Sequence, residues 1–585
     1  MNIEQEDQVE ILSQNNTPKL VMKVPPSSKI EIDAALAALK AHKNVWASLA
    51  IQERINILDE IINDVQNVAE RWINAGIEAQ DLQTNQYGIG EKHVMFSQVY
   101  RILRLYRQSL IDIQQTGNPR IPGAVSKRDN GQLVAQVFPQ TWYDKLSMLG
   151  VRAEIWMMQD SPLKNGNPAQ TSFYHSENRE GKVALVLGAG NVSALIVADF
   201  MHKLFAEGQV VILKPNPVNE YIGPLIEEGF RGLIKRNFMR VVYGGVKEGT
   251  SLVQHPLVDE IHMTGSDRTF ESIVFGPGED GAQRKAARAP QITKPISAEL
   301  GNISPIIVVP GPWKESDIKA QAARLGSWLS INAGCNCVTP RIIINWEQWD
   351  QREKLNTALG DFLAQVQTRK AYYPGTSERY KQFVTEHPEA LQFGKTPAGH
   401  LPWTLIPNVD HKNGEDICFT QEAFCSLFAE TTLNAENSAA YIEKAVAFAN
   451  NDLRGTLAAS IIVHPSSMKD PKIAAAVEGA IEKLCYGTIV INQSGALAYM
   501  LTTTSWGAYP GHDLYDVQSG IGTVNNVLMF DHPQKSIVYC PFNSKPDPLL
   551  ATTRNLPEIG QKLLDFQSSP SLMSLIRMSI AAFKS

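Results

Sequence analysis

VALVLGAGNVSALIVADFMHKLFAEGQVVILKP, residues Val183–Pro215, is the stretch that decides the fold. Its order reads as strand, glycine turn, amphipathic helix and second strand. Neither apolar run alternates with polar residues, so each strand is buried on both faces, as in a parallel sheet covered by helices. The same texture continues downstream: NEYIGPLIEEGFRGLIKRN reads as a helix, MRVVYGG as a strand, EGTSLVQHP as a short helix and VDEIHMTGS as a strand. A second alternation includes SLFAETTL, LAASIIVHP and TIVINQSG, all strand-like, with helical segments between them. The fold class expected is α/β, with two doubly wound domains in sequence.

Upstream, residues 30–114 carry a helical pattern, with Ile55, Leu58, Ile61 and Ile62 on one face. Residues up to about Ser28 read as a loose arm. GQLVAQVFPQ and VRAEIWMMQ, within 116–181, are expected to pair as a hairpin, and FGPGEDGAQRKAARAPQITK reads as an exposed, mobile insertion. No internal repeat is evident.

A chain of 585 residues is too long for one core. With 43% hydrophobic and 19% charged residues it has an ordinary globular composition. The net charge of -6 provides no general attraction to nucleic acid or to an anionic membrane. Val183–Phe205, the best apolar run, is broken by Asn191, Asp199 and His202, so no membrane span is expected. Six cysteines are too sparse for a disulfide scaffold, and the acidic N-terminus lacks a secretory pattern, so a reducing, cytoplasmic location is expected.

Four motifs carry candidate chemistry. GAGNVS (Gly188–Ser193) joins a strand to a helix, where backbone N–H groups attract phosphate, although the dinucleotide fingerprint is partial. The strand that follows it ends in Lys214 rather than the usual acid. MTGS lets Ser266 cap a helix, and ELGN sets Glu299 at a strand end. In INAGCNCVTPRIIIN (Ile331–Asn345) two cysteines follow a small-residue turn, which suits a nucleophilic thiolate as well as inert core thiols. Cys335, Cys337, Cys418 and Cys425 depart from the spacings of structural zinc sites, so no metal is expected.

Taken in order, these segments resemble the aldehyde dehydrogenase superfamily over about Ile30–Asp531. The resemblance implies a catalytic set of Cys337 as nucleophile, Glu299 as general base and Asn191 as oxyanion donor. It implies cofactor contacts from Lys214, Gly265 and Ser266, together with Glu422 and Phe424 of QEAFCS. The cofactor implied is NAD or NADP, and Pro217, three residues after Lys214, leaves NADP tolerated. The domains implied are an N-terminal helical part of the cofactor-binding domain at 1–115, a hairpin for oligomerisation at 116–181 and a Rossmann-like NAD(P)-binding domain at 182–298. A catalytic domain at 299–525 follows, then a C-terminal oligomerisation strand and extra helix at 526–585. A homodimer or homotetramer acting on a small-molecule aldehyde is implied, with hydrolytic oxidation to the acid expected because Glu299 is present. Coenzyme A-dependent acyl transfer and a non-catalytic scaffold are the alternatives. Cys335 replaces the family's glutamine, Gly190 and Val192 flank Asn191 where the family has tryptophan and proline residues around it, and Cys425-Ser426 replace glycine and proline.

Overall fold

The computed structural model describes residues 24–164, 166–543 and 547–584. Residues 1–23 of the expected arm lie outside the described residues.

Three long helices come first. Ser28 caps Lys29–Ser48 through a capping box with Glu31, satisfying backbone donors that a helix start leaves open. Ile51–Ala79 buries Ile55, Leu58 and Ile61 of the expected stripe and leaves Ile62 half-buried. Asn85 caps Gln86–Thr116, which ends at Gly117 in the left-handed conformation (φ 89°). Trp46 and Arg54 join this unit to the rest: the indole N–H donates to Leu204 O at 3.1 Å, and the Arg54 guanidinium lies 5.4 Å from the Phe173 ring centroid and 5.6 Å from that of Tyr174.

Among the described residues the strands gather into two large sheets. The six-stranded sheet runs Gly520–Ile521, Ile296–Glu299, Glu260–Thr264, Val183–Leu187, Val210–Lys214, Met239–Val241. All its pairings are parallel except that of Gly520–Ile521. The chain moves outward from Val183–Leu187 to one side and then returns on its other side. The turn leaving that strand is therefore a topological switch point, where open α/β sheets hold ligands. Glu299 is the last residue of its strand.

The other sheet has eleven strands, and its parallel centre runs Pro533–Tyr539, Thr488–Ile491, Ala458–Ile462, Ser304–Val308, Pro340–Trp346, Leu427–Leu433 and Trp403–Val409. Leu133–Phe138 and Arg152–Met157 form the expected hairpin. Antiparallel pairing of Arg152–Met157 with Pro533–Tyr539 appends that hairpin to the edge of the same sheet.

The stretch read as a mobile insertion contains a helix, Gly278–Ala286. Glu279 and Asp280 occupy its first turn, and Arg284 and Lys285 its last, which is the charge order a helix dipole favours. The density of Gly and Ala obscures that order in the sequence. Arg284 ties the helix down by donating to Phe275 O at 2.8 Å.

Candidate active site

The helix Glu315–Ser330 delivers the chain to the two cysteines through three consecutive left-handed residues: Asn332 (φ 52°), Ala333 (φ 58°) and Gly334 (φ 75°). Left-handed backbone costs a residue with a Cβ about 1–2 kcal/mol, so this turn must be held by its surroundings. Asn332 is the holding residue. Its N–H donates to Glu91 Oε2 at 2.8 Å, and its side-chain NH₂ donates to the carbonyls of Asn191 (3.0 Å) and Cys335 (2.9 Å). Its Oδ1 accepts from Gln80 Nε2 at 3.2 Å and Lys92 Nζ at 3.4 Å. Arg369 pairs with Glu91 at 3.0 Å, both side chains at 5% exposure or less. Burial pushes Lys92 down to about 7. This polar cluster, fully removed from water, draws on helices about 240 residues away in sequence.

Gly334 meets a second constraint, because a Cβ there would lie 2.2 Å from Cys425 O. Gly334→Ala is therefore expected to destabilise the protein by at least about 2 kcal/mol, through left-handed strain together with a backbone clash. Thermal melting of the two proteins is the check; an unchanged Tm would mean that the loop is free to reshape.

A cavity of about 500 Å³ lies where this loop faces the switch-point turn. Asn191, Gly265, Ser266, Glu299, Cys337, Glu422 and Phe424 all line it. Lys214, at the end of its strand, does not; it stands beside Gly249, with Glu248 and Glu220 acting on its charge. Cys337 Sγ donates to Glu299 Oε1 at 3.3 Å. The Asn191 side-chain NH₂ donates one hydrogen to Cys335 O at 3.2 Å, which fixes the amide and leaves its second hydrogen available. Ser266 Oγ accepts from Thr269 N at 3.2 Å and caps the helix Asp267–Val274, turning that N-terminus toward the cavity.

The carboxylates are perturbed together. Burial, reinforced by Asp199, raises Glu299 to about 7. Burial also raises Glu422 to about 7, against the lowering influence of Arg341, the Asn302 N–H and Arg379. Glu422 packs on bare backbone, since a Cβ on Gly301 would come within 2.3 Å of its Oε2, and its buried Oε1 has no hydrogen-bond partner in the protein. Burial first, then Glu299 and Glu422, push the Cys337 thiol well above the ordinary thiol range. The free protein thus holds a protonated thiol against a carboxyl group poised near neutrality. Such a pair can exchange a proton, and a cation entering the cavity would favour the thiolate.

Cys335 plays a different part. It is fully buried, away from the cavity lining, with Sγ 3.5 Å from Phe424 O and 3.7 Å from Thr376 Oγ1. It fills the space beneath the ring of Phe424, whose own backbone is left-handed (φ 43°). Of Cys335, Cys337, Cys418 and Cys425, Cys418 alone belongs to a group of metal-capable side chains among the described residues, beside His387 and Asp416. The cluster of Gln80, Glu91, Lys92 and Arg369 around Asn332 escaped the sequence reading, because each member sits in an ordinary helical or loop context.

A family model described as the aldehyde dehydrogenase family matches residues 150–370. The dimeric NADP-preferring aldehyde dehydrogenase of Rattus norvegicus is 29% identical over 206 residues, 35% of this chain and 42% of that protein. The matched stretch thus spans less than half of that relative's length. Among solved structures, a Mycobacterium tuberculosis aldehyde dehydrogenase complexed with NAD+ superposes with a TM-score of 0.58 at 19% identity, covering 89% of this chain and 92% of that one. An NADP-dependent glyceraldehyde-3-phosphate dehydrogenase from Bacillus halodurans C-125, complexed with NADP, gives a TM-score of 0.57 at 17% identity, covering 88% and 92%. These two likenesses carry the fold.

Proposed function

We propose that this chain, which belongs to the aldehyde dehydrogenase superfamily, oxidises an aldehyde to a carboxylic acid with NAD or NADP as acceptor. The observation that carries the reading is the contact of Cys337 Sγ with Glu299 Oε1 at 3.3 Å, inside a cavity that also holds Asn191 and Glu422. In this reading residues 182–298 form the NAD(P)-binding domain and 299–525 the catalytic domain that carries the nucleophile, with Asn191 reaching from the first and Glu422 and Phe424 from the second into the shared cavity.

The residues present fit a nicotinamide dinucleotide. Glu422 brings an unpartnered, buried carboxylate oxygen to the cavity, suited to ribose hydroxyls. The capped N-terminus of Asp267–Val274, with Gly265 and Ser266, suits a pyrophosphate. Phe424 packs edge-on against Tyr373 at 5.1 Å, giving a fixed wall for a flat ring. Lys214, outside the cavity, would meet the adenosine half. Pro217 sets no carboxylate against a 2′-phosphate, so both cofactors are accepted.

The chain's own groups act in a fixed order. Glu299 takes the thiol proton, and the Cys337 sulfur adds to the aldehyde carbonyl to give a thiohemiacetal. The free hydrogen of the Asn191 amide and the Cys337 N–H steady the oxyanion. Bound NAD(P) supplies the hydride acceptor through which the thiohemiacetal becomes a thioester. Glu299 passes that first proton to solvent and, again a carboxylate, removes a proton from water, which attacks the thioester; the acid is released and the leaving Cys337 thiolate takes the proton back from Glu299.

A homodimer or homotetramer in the cytosol completes the proposal. The hairpin strands extend a sheet edge, and Leu572, Met573, Ile576, Ile580 and Phe583 expose an apolar row on the helix Leu572–Phe583, which suits packing against a second copy. The rat relative is described as dimeric. All six cysteines are free, as a reducing compartment requires. Among the described residues no helix is long and apolar enough to cross a membrane.

The test is a panel of aldehydes with NAD or NADP, with and without coenzyme A, following reduced cofactor and the acyl product. Free acid with either cofactor, at a rate indifferent to coenzyme A, is expected. Turnover that requires coenzyme A would replace hydrolysis by acyl transfer, and silence across the panel would leave a scaffold.

A further inference from the structure

We propose that His387, Asp416 and Cys418 form a binding site for a divalent transition metal of the zinc type, separate from the aldehyde cavity. Their ligand atoms all lie within 4.8 Å of one another. His387 Nε2 is 3.1 Å from Asp416 Oδ1 and 3.6 Å from Cys418 Sγ. Zinc bonds of about 2.0–2.1 Å to nitrogen and oxygen and about 2.3 Å to sulfur, at tetrahedral angles, put neighbouring ligand atoms roughly 3.3–3.6 Å apart. The two separations from His387 Nε2 match that figure to within a few tenths of an ångström, and the whole set lies within 4.8 Å, so an ion fits with modest movement of the side chains.

The chemistry of the set narrows the choice of ion. One thiol, one imidazole and one carboxylate form a borderline-soft donor set that suits zinc or cobalt and not magnesium or calcium. His387 Nδ1 is 2.9 Å from Glu389 Oε1, the carboxylate–histidine arrangement that fixes the tautomer and leaves Nε2 free to ligate. Asp416 is fixed as well, since its Oδ1 accepts from the N–H of Cys418 at 2.9 Å as the cap of the helix Ile417–Thr420. The site is shielded, with His387 at 8% and Cys418 at 3% exposure, and the half-exposed Glu389 carboxylate marks the open side. Two carboxylates, those of Glu389 and Asp416, therefore flank one imidazole, and a divalent cation bound here would displace the Cys418 proton to complete its ligand set.

The sequence kept this set out of view. His387-x-Glu389 and Asp416-x-Cys418 are each short and undistinguished, and 26 residues separate the two pairs. In space they join the C-terminal end of the helix Thr376–Glu386 to the turn that leads into Glu422 and Phe424. That helix lines the aldehyde cavity through Glu378, Arg379 and Gln382. An ion at His387 would clamp the two walls together from behind, without touching the reacting atoms.

The test uses the full-length protein, stripped with a chelator, kept reduced and titrated with Co²⁺. Expected are saturation at one equivalent per chain and a near-ultraviolet sulfur-to-cobalt band that Zn²⁺ displaces. The band should disappear in Cys418→Ser and persist in Cys337→Ala. Loss of the Glu389 carboxylate in Glu389→Gln should weaken metal binding about 10–100-fold. Each variant is compared with wild type by circular dichroism in the chelator, so that a fold defect is recognised; the wild-type spectrum and the Glu389→Gln affinity decide the matter even if Cys418→Ser misfolds. Absence of stoichiometric binding, a band that survives Cys418→Ser in a folded protein, or unchanged affinity in Glu389→Gln would overturn the proposal. Aldehyde turnover is not the readout, so failure here leaves the proposed activity untouched.

Discussion

Cys337→Ala is expected to abolish aldehyde oxidation, lowering kcat by about 10⁴-fold or more, in line with the loss of a nucleophile elsewhere. The residue faces the cavity, and its sulfur contacts Glu299. Alanine removes the bond-forming atom while leaving the loop's backbone ties through Asn332 in place. Cys335→Ala, two residues away, is the paired control: that sulfur is buried against Phe424 and Thr376, outside the cavity. Its loss should cost about 1 kcal/mol of packing and leave most of the turnover. Steady-state rates together with thioester trapping on the denatured protein are the measurements. Turnover that survives Cys337→Ala and vanishes in Cys335→Ala would move the nucleophile.

Glu299→Gln should separate the two halves of the reaction. The amide cannot accept a proton from water, so thioester hydrolysis should fall by about 10²–10⁴-fold. One equivalent of reduced cofactor should still form at high pH, where the thiol ionises unaided. In the wild-type protein the working form of Glu299 is the carboxylate. Burial raises this group from its ordinary carboxylic range to about 7, so the carboxylate fraction grows as pH rises through that value. Hydrolysis should therefore climb about tenfold per pH unit below pH 6 and level off above about 8. Rapid-mixing measurements across that range provide the check. A flat profile in the wild-type protein, or a wild-type hydrolysis rate in Glu299→Gln, would remove Glu299 from the step.

The parts of this architecture that announce themselves in the sequence are those set by local periodicity. The buried strands Val183–Leu187 and Val210–Lys214 stand out because two-sided burial demands unbroken apolar runs. The stripe on Ile51–Ala79 stands out because a helix buries one face. Seven of the eight candidate site residues meet at one cavity; Asn191, Gly265, Ser266, Glu299 and Cys337 end a strand, cap a helix or follow a tight turn, places that leave a composition cue, whereas Glu422 and Phe424 leave none and are legible only through the resemblance. Lys214 is the exception: a strand's end can be read from its residues, but not which side of the next helix its lysine will take. Contacts made by lone polar side chains on unremarkable elements leave no cue. Glu91, Lys92, Arg369, His387 and Asp416 gain their meaning only from partners tens to hundreds of residues away. The helix Gly278–Ala286 was hidden for a different reason, since its Gly- and Ala-rich composition is equally that of a loop.

The left-handed turn before the cysteines bears on how the protein acquires its activity during synthesis. Its shape depends on Gln80, Glu91 and Lys92 from the first third of the chain, Asn191 from the switch point and Arg369 beyond the loop itself. Its electrostatics depend further on Glu422. No contiguous fragment shorter than residues 80–422 contains all the groups that present the sulfur to a substrate. In the proposed reaction, reactivity at Cys337 is therefore a property of the finished molecule: a nascent or clipped chain carries the thiol without the setting that the reaction requires.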